Sequence, residues 1–148
     1  MRVVLQRVKY ANVKVDGELI NEINHGFLLL VGIRVGEKIE DVEKIAKKIS
    51  GLRIFEDENH KLNRAIKDVQ GEILSISQFT LYADLKKGNR PSFIEAAGKD
   101  EAIKIYDYFN EILSSYDIKV KKGIFGADMK IELLNDGPVT IILDSDKM

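Results

Sequence analysis

The segment Ser77-Gln-Phe-Thr-Leu81 concentrates the hydroxyl and amide side chains that could take part in chemistry. In an alternating strand Gln78 and Thr80 share one face, and Ser77 lies on the other. An apolar strand that ends in such side chains can run out of the core into a pocket, although an ordinary solvated strand end has the same pattern. No G-x-S-x-G elbow surrounds Ser77, so the sequence does not indicate a serine nucleophile of that type.

Arg7 is a charged residue on an otherwise apolar face of a predicted strand. The other positions on that face are Val3, Leu5, Val13 and Val15. A guanidinium keeps its charge when it is buried, so it needs acceptors around it. Arg7 therefore either braces carbonyls or a carboxylate near a site, or lies at the rim with its stem over the sheet.

The segment Asn135-Asp-Gly-Pro-Val-Thr140 contains the pair Gly137-Pro138. Proline cannot donate to a ladder and suits the start of a strand, while glycine permits φ values that are closed to other residues. Taken alone, the segment predicts an ordinary hairpin turn, and only about 5–6% of X-Pro bonds are cis.

The remaining residue types exclude several kinds of catalysis. The chain has no cysteine, which rules out thiolate catalysis, disulfides and thiolate metal ligands. Its two histidines, His25 and His60, lie in segments typical of solvated loops, and no residue spacing resembles a metal site. The sequence therefore indicates neither a metal nor another cofactor.

Length, charge and hydropathy favour a single domain over residues 1–148 in a soluble, cytoplasmic protein. The first seven residues carry charge and lack the apolar stretch of a signal peptide. The longest apolar run, residues 27–31, is too short to cross a membrane. Because the net charge is −1, an RNA partner would need local positive charge. Residues 86–90 and 119–122 are basic enough to follow a phosphate backbone, unless they are simply solvated lysines.

Predicted strands and helices must position these residues. Alternating or apolar runs predict strands over residues 3–15, 18–23, 27–33, 52–55, 72–81, 118–122, 129–134 and 139–143. A helical period predicts helices over residues 37–50 and 99–116. Asp16-Gly17 predicts a hairpin turn, and residues 84–91 a loop. The pattern predicts an α/β fold in which two main helices cover one side of mostly antiparallel β-sheets.

Several short segments occur together, in order, from the first predicted strand to the last. They are Leu5-Gln-Arg-Val8, Gly51-Leu-Arg-Ile-Phe55, Ser77-Gln-Phe-Thr-Leu81, Gly88-Asn-Arg-Pro-Ser-Phe93, Tyr106-Asp-Tyr-Phe109, Gly126-Ala-Asp-Met129 and Asn135-Asp-Gly-Pro-Val-Thr140. This combination, with the length of the chain, resembles the D-aminoacyl-tRNA deacylase family. Ser-Gln-Phe-Thr and Gly-Pro-Val-Thr match signatures of that family, and their joint presence is more specific than either alone.

The resemblance implies a three-layer β/β/α arrangement and a homodimer with its active site at the dimer interface. Gly137-Pro138 would be a cis pair that enters the partner's pocket from one subunit, with Arg7 holding its loop in place. The residues implied to line the pocket for the terminal adenosine and the amino acid are Ser77, Gln78, Phe79, Thr80 and Met129.

The implied activity is hydrolysis of the ester bond of D-aminoacyl-tRNA. A rigid backbone wall would exclude L side chains but admit glycine, so mischarged glycyl-tRNA is a further expected substrate. An aminoacyl ester is already activated, and N–H donors to the oxyanion with a positioned water are sufficient help. Ser77, Gln78 and Thr80 are the candidate catalytic residues. The resemblance also implies assistance by the terminal 2′-hydroxyl of the tRNA, with Thr80 as nucleophile the other possibility.

Three alternatives remain open at this point. The chain could be a non-catalytic tRNA-binding module with the same surface. It could be a related deacylase in which Gly137-Pro138 is trans and small L-amino acids are the substrates. It could also be a structural β-domain, which the two signatures argue against.

Overall fold

Eight β-strands and two α-helices make up the fold, which the computed structural model describes over residues 1–148. The strands are β1 (Arg2–Val15), β2 (Glu18–Ile23), β3 (Gly26–Gly32), β4 (Arg53–Glu56), β5 (Leu62–Ala65), β6 (Glu72–Ser77), β7 (Lys119–Lys122) and β8 (Lys130–Asp144). The helices are α1 (Ile39–Gly51) and α2 (Lys99–Ser115), with short 3₁₀ helices at Lys67–Val69, Phe79–Tyr82 and Ser145–Lys147. No helix is both long enough and apolar enough to cross a bilayer.

Strand β1 is the centre of the main sheet. It pairs antiparallel with β2, with β3 and, along most of its length, with β8. The sheet continues from β3 to β6 and from β6 to β7 through parallel pairs, while β4 and β5 form a separate hairpin. The prediction of mostly antiparallel sheets with two helices is confirmed, although the hairpin partner β5 was not predicted.

The two faces of this sheet bury different cores. On one face the apolar residues of β1, β3 and β6 pack against α1 and α2, whose buried side chains include Val42, Ile45 and Phe109. On the other face β2 and parts of β1 and β8 fold back over β3 and β6, and they enclose Val13, Leu28 and other residues. The predicted three-layer β/β/α arrangement is confirmed.

Strand β1 changes its inward face part-way along. Val3 and Leu5 belong to the core beneath the helices, whereas Val13 belongs to the core between the two strand layers. The pairing of β1 with β8 shifts register between Gln6 and Val8 and again between Val8 and Tyr10. Such irregularities bend and twist a strand, so the prediction that Val3, Leu5 and Val13 share one face is wrong.

Candidate functional site

The segment after Ser77 leaves the sheet where two parallel strands end together. β3 and β6 run in parallel, and the backbone N–H of Gln78 donates to the Val31 carbonyl at 2.7 Å as the chain turns away. The next residues form the 3₁₀ helix Phe79–Tyr82 instead of continuing the strand to Leu81 as predicted. The carboxyl ends of parallel strands are a common place for ligand sites.

A pocket of about 260 Å³ lies at this point. Val31 and Ile76 of the sheet and Ile33, just after β3, contribute apolar lining, and Ala102 of α2 borders the pocket on the helical side. Four of the predicted site residues line the pocket, namely Ser77, Gln78, Phe79 and Met129. The pocket therefore offers a largely apolar cleft with a few polar groups, which is the usual composition of a small-molecule site.

Several lining residues were not predicted to belong to the site, although Ala127 lies within the segment Gly126-Ala-Asp-Met129 noted in the sequence. Phe125 and Ala127 lie in the loop between β7 and β8, and Ala97 lies just before α2. Residues in such loops do not recur at the spacing of a helix or strand, so the hydrophobic pattern of the sequence does not identify them. Phe93 also supports the site, because its ring packs edge-on against Phe79 with the centroids 4.9 Å apart.

Thr80 is not among the pocket-lining residues, although it was predicted to be. Its side chain is exposed, and its hydroxyl accepts a hydrogen bond from the Gln78 amide. Neither histidine forms a hydrogen bond with it: His25 contacts the Val69 carbonyl, and His60 lies beside Glu56. The turn after Ser77 rotates Thr80 out of the alternation on which the prediction rested.

Tyr106 of α2 supports the pocket from the helical side. The Tyr106 hydroxyl donates to the Ser75 carbonyl at 2.7 Å, and its ring lies 5.8 Å from that of Phe125. Burial raises the pKa of Tyr106 to about 12, so the hydroxyl remains a neutral donor at physiological pH. This hydrogen bond ties α2 to β6 two residues before Ser77.

Arg2 holds the other side of the turn. It donates to the Leu81 carbonyl at 2.7 Å and to the Asp144 carboxylate at 3.0 Å, and its guanidinium lies over the Tyr82 ring. Burial raises the pKa of Asp144, but hydrogen bonds from the Asp146 N–H and Arg2 outweigh it, and the net pKa is lowered. The end of β8 is thereby linked to the 3₁₀ helix that carries Phe79.

Arg7 is almost fully buried, with 5% of its surface exposed, and it binds two carbonyls. Its Nη1 donates to Ile54 O of β4 at 2.6 Å, and its Nε donates to Asp136 O at 3.1 Å. The Asp136 carboxylate lies 3.5 Å from the same Nε, and the guanidinium also lies over the Phe55 ring. Of the two possibilities left open by the sequence, a bracing arginine is the observed one.

The Gly137-Pro138 segment is a bulge and not the predicted hairpin turn. Asn135 pairs with Val8 and Thr140 with Gln6, so four residues of β8 stand opposite Arg7 alone. Both flanks of the segment pair with the same strand, which makes β8 continuous. The Gly137–Pro138 peptide bond is cis.

Two features favour glycine at position 137 of this bulge. Its φ of +124° is one that side-chain-bearing residues rarely adopt, and a Cβ there would lie 3.1 Å from Arg7 Nη2. Gly137 and Pro138 are exposed and, like Arg7, do not line the pocket of their own chain. The predicted site residues thus form two separate groups within the chain.

No group of three or more His, Asp or Glu side chains is placed to hold a metal ion.

Comparison with known proteins gives matches over nearly the whole chain. The sequence profile of the D-Tyr-tRNA(Tyr) deacylase family matches residues 4–144. A protein of Fusobacterium nucleatum named D-aminoacyl-tRNA deacylase is 57% identical over 145 residues, covering 98% of this chain and 96% of the relative. One of the same name from Geobacillus sp. (strain WCH70) is 55% identical over 145 residues, covering 98% and 95%. The solved structure of a c-Myc DNA Unwinding Element Binding Protein has a TM-score of 0.90 at 41% identity, covering 97% of this chain and 98% of that one.

Proposed function

Because the chain belongs to the D-Tyr-tRNA(Tyr) deacylase family, we propose that it hydrolyses the ester bond of D-aminoacyl-tRNA and releases the free D-amino acid and tRNA. The observation that carries the proposal is the pocket formed by Ser77, Gln78, Phe79 and Met129 at the ends of two parallel strands. It has the size and composition for an amino acid and part of a nucleoside. A cytoplasmic location, where aminoacyl-tRNA is made and used, goes with this function.

The active unit in this proposal is a homodimer with its sites at the interface. β8 pairs only with β1, so its other edge has unpaired backbone groups along fifteen residues. Leu134 and Ile142 on this strand are large apolar side chains with 50% and 66% of their surface exposed. A long exposed edge of this kind invites pairing with another chain. A second copy docked here can bring its Gly137-Pro138 bulge to a pocket that lacks these residues.

Selection against L-amino acids rests in this proposal on the backbone of Gly137 and Pro138. A backbone wall discriminates by steric exclusion, and it cannot turn aside as a side chain can. Arg7 supports the proposal because it fixes the carbonyl of Asp136, next to the pair. Glycine has no side chain to exclude, so mischarged glycyl-tRNA is a proposed second substrate.

Catalysis is assigned to the turn after Ser77 and to the substrate itself. Backbone N–H groups of the turn and the Ser77 and Gln78 side chains would stabilise the oxyanion and position water. The 2′-hydroxyl of the terminal adenosine would assist the attack. The exposed position of Thr80, without a basic neighbour, supports this route over threonine as nucleophile.

The test is a deacylation assay with D-tyrosyl-, L-tyrosyl- and glycyl-tRNA, with D-tyrosyl-tRNA ending in 2′-deoxyadenosine as a fourth substrate. We expect rapid hydrolysis of the D-tyrosyl and glycyl esters, little of the L-ester and poor hydrolysis of the deoxy substrate. Thr80→Ala should keep much of the activity. A dead Thr80→Ala enzyme with a competent deoxy substrate would instead make threonine the nucleophile.

Two further outcomes identify the alternatives. Binding of D-tyrosyl-tRNA without release of tyrosine would make the protein an RNA-binding module. Hydrolysis of L-alanyl-tRNA in preference to the D-ester would reverse the proposed specificity. Sedimentation tests the dimer separately, because a fully active monomer would remove the shared-site model.

A further inference from the structure

A basic arm projects from the rim of the pocket. We use this name for residues 84–92, whose ends are joined by two backbone hydrogen bonds between Asp84 and Ser92, at 2.7 and 3.0 Å. The Asp84 carboxylate accepts from the Lys86 N–H at 2.9 Å and fixes the first turn of the arm. Phe93, which packs on the pocket residue Phe79, follows the arm directly. The arm is therefore anchored beside the pocket.

The cations of this arm have no partners within the protein. Lys86, Lys87 and Arg90 are exposed, and none forms an ion pair. The second basic cluster differs in this respect. Lys119 and Lys121 lie within 4 Å of Glu72, and Lys122 of Asp107. The three lysines of the second cluster share these two carboxylates, whereas no cation of the arm is paired.

The arm also presents exposed apolar surface next to its charges. Leu85 has 66% of its surface exposed, and Ile94, just beyond the arm, has 82%. Arg90 lies three residues from Phe93, so its backbone is at most about 11 Å from that residue along the chain. Unpaired cations interleaved with apolar side chains suit a single-stranded nucleic acid, whose phosphates and base faces need both.

We infer that the basic arm binds the phosphates of the single-stranded 3′ end of the tRNA, immediately upstream of the nucleotide in the pocket. The inference rests on the proposed function for the identity of the RNA. Lys86, Lys87 and Arg90 supply the phosphate contacts, and the arm guides the strand towards Phe79. These residues bind substrate away from the reacting ester and take no part in the chemical step.

The salt dependence follows from counterion release. Each phosphate contact on a single strand contributes about 0.7 units to the slope of log K against log salt. Removal of three contacts should lower the slope by about 2 units. Between 50 and 200 mM salt, the affinity of the wild type should therefore fall roughly 20-fold more than that of a variant without the arm cations.

The experiment compares two triple variants that each change the net charge from −1 by three units. One replaces Lys86, Lys87 and Arg90 with alanine. The control replaces three exposed lysines of α1, Lys44, Lys47 and Lys48. None of them lines the pocket, and Lys44 and Lys47 lie near Ile112 of α2. For each protein we would measure tRNA affinity between 50 and 200 mM salt and the hydrolysis of D-tyrosyl-tRNA and of D-tyrosyl-adenosine, which lacks the upstream phosphates.

In the arm variant alone, we expect the tRNA affinity to depend less steeply on salt and the KM for D-tyrosyl-tRNA to be higher. D-tyrosyl-adenosine should be hydrolysed at the wild-type rate. Equal slopes in the two triple variants would overturn the inference. So would an equal loss on D-tyrosyl-adenosine, or dissociation of a dimer in sedimentation, since the arm would then shape the pocket or the subunit contact. If the wild type hydrolyses neither substrate the proposed function fails, and the affinity slopes still decide whether the arm binds RNA.

Discussion

Replacement of Arg7 with methionine tests how the bulge of β8 is held. The change keeps a long side chain in the buried site but removes its donors to Ile54 O and Asp136 O. A hydrogen bond from a charged group contributes about 1.5–3 kcal/mol. The Ile54 bond is buried and should be lost in full, whereas water can partly replace the half-buried bond to Asp136. We therefore expect the free energy of unfolding to fall by about 3 kcal/mol.

Urea unfolding at a fixed protein concentration measures this loss. With a slope of about 2 kcal/mol per molar urea, typical of a small protein, the midpoint should fall by about 1.5 M. Arg7→Lys should recover little, because a single ammonium cannot reproduce the forked donors of arginine. If the bulge forms the proposed wall, hydrolysis of D-tyrosyl-tRNA should also fall.

Lys9→Met is the matched control. Lys9 lies 3.6 Å from the same Asp136 carboxylate, but 62% of its side chain is exposed. Exposed ion pairs contribute about 0–1 kcal/mol, so its midpoint should stay close to that of the wild type. An Arg7→Met protein as stable as the wild type, or a Lys9→Met protein equally destabilised, would refute the assignment of Arg7 as the brace.

Three other outcomes follow from the structure. Gly26→Ala should prevent stable folding, because the added Cβ would lie 1.8 Å from the Glu72 carbonyl oxygen. Gly51→Ala, whose Cβ would have no atom within 4 Å, should instead stabilise α1 by about 0.5 kcal/mol. Circular dichroism and urea unfolding of the two variants measure these opposite effects. Asp144→Asn should destabilise the protein at pH 7. Because the folded-state pKa of Asp144 lies below its unfolded value of about 3.9, the difference from wild type should fade as the pH falls through that lowered pKa, and a persistent gap at low pH would argue against the Arg2 pair. Replacement of Ile142 with lysine should shift a dimer towards monomer in sedimentation, and an unchanged dimer would place the interface elsewhere.

Local patterns in the sequence predicted the elements whose partners lie close in the chain. The helical period predicted α1, and its apolar residues Val42, Ile45 and Ile49 are buried, whereas Ile39 at the first turn is 44% exposed. Asp16 and Gly17 form the predicted hairpin turn, with φ values of +50° and +78°. These features depend on the types and spacing of neighbouring residues, so they can be predicted from the sequence.

Features that depend on distant pairing were not predictable in the same way. The strand ends at Ser77, and a 3₁₀ helix begins at Phe79, but no glycine or proline marks that point in the sequence. Gly137-Pro138 has the local composition of a turn, yet both flanks belong to one strand because β1 supplies the partner for each. The burial of Arg7 depends on the Ile54 carbonyl, which lies 47 residues away.

The pairing of β1 with β8 has a consequence for how the protein is made. Arg2 pairs with Asp144, and β1 is synthesised well before β8, so β1 lacks this partner until β8 has been made. Until then the nascent chain carries an unpaired strand edge and apolar side chains such as Leu5 without all of their final neighbours. Contacts this distant in sequence also slow folding, because a long loop must close before they form. We therefore expect the central sheet to be completed only after β8 has been synthesised, and the chain to be most prone to aggregation before that point.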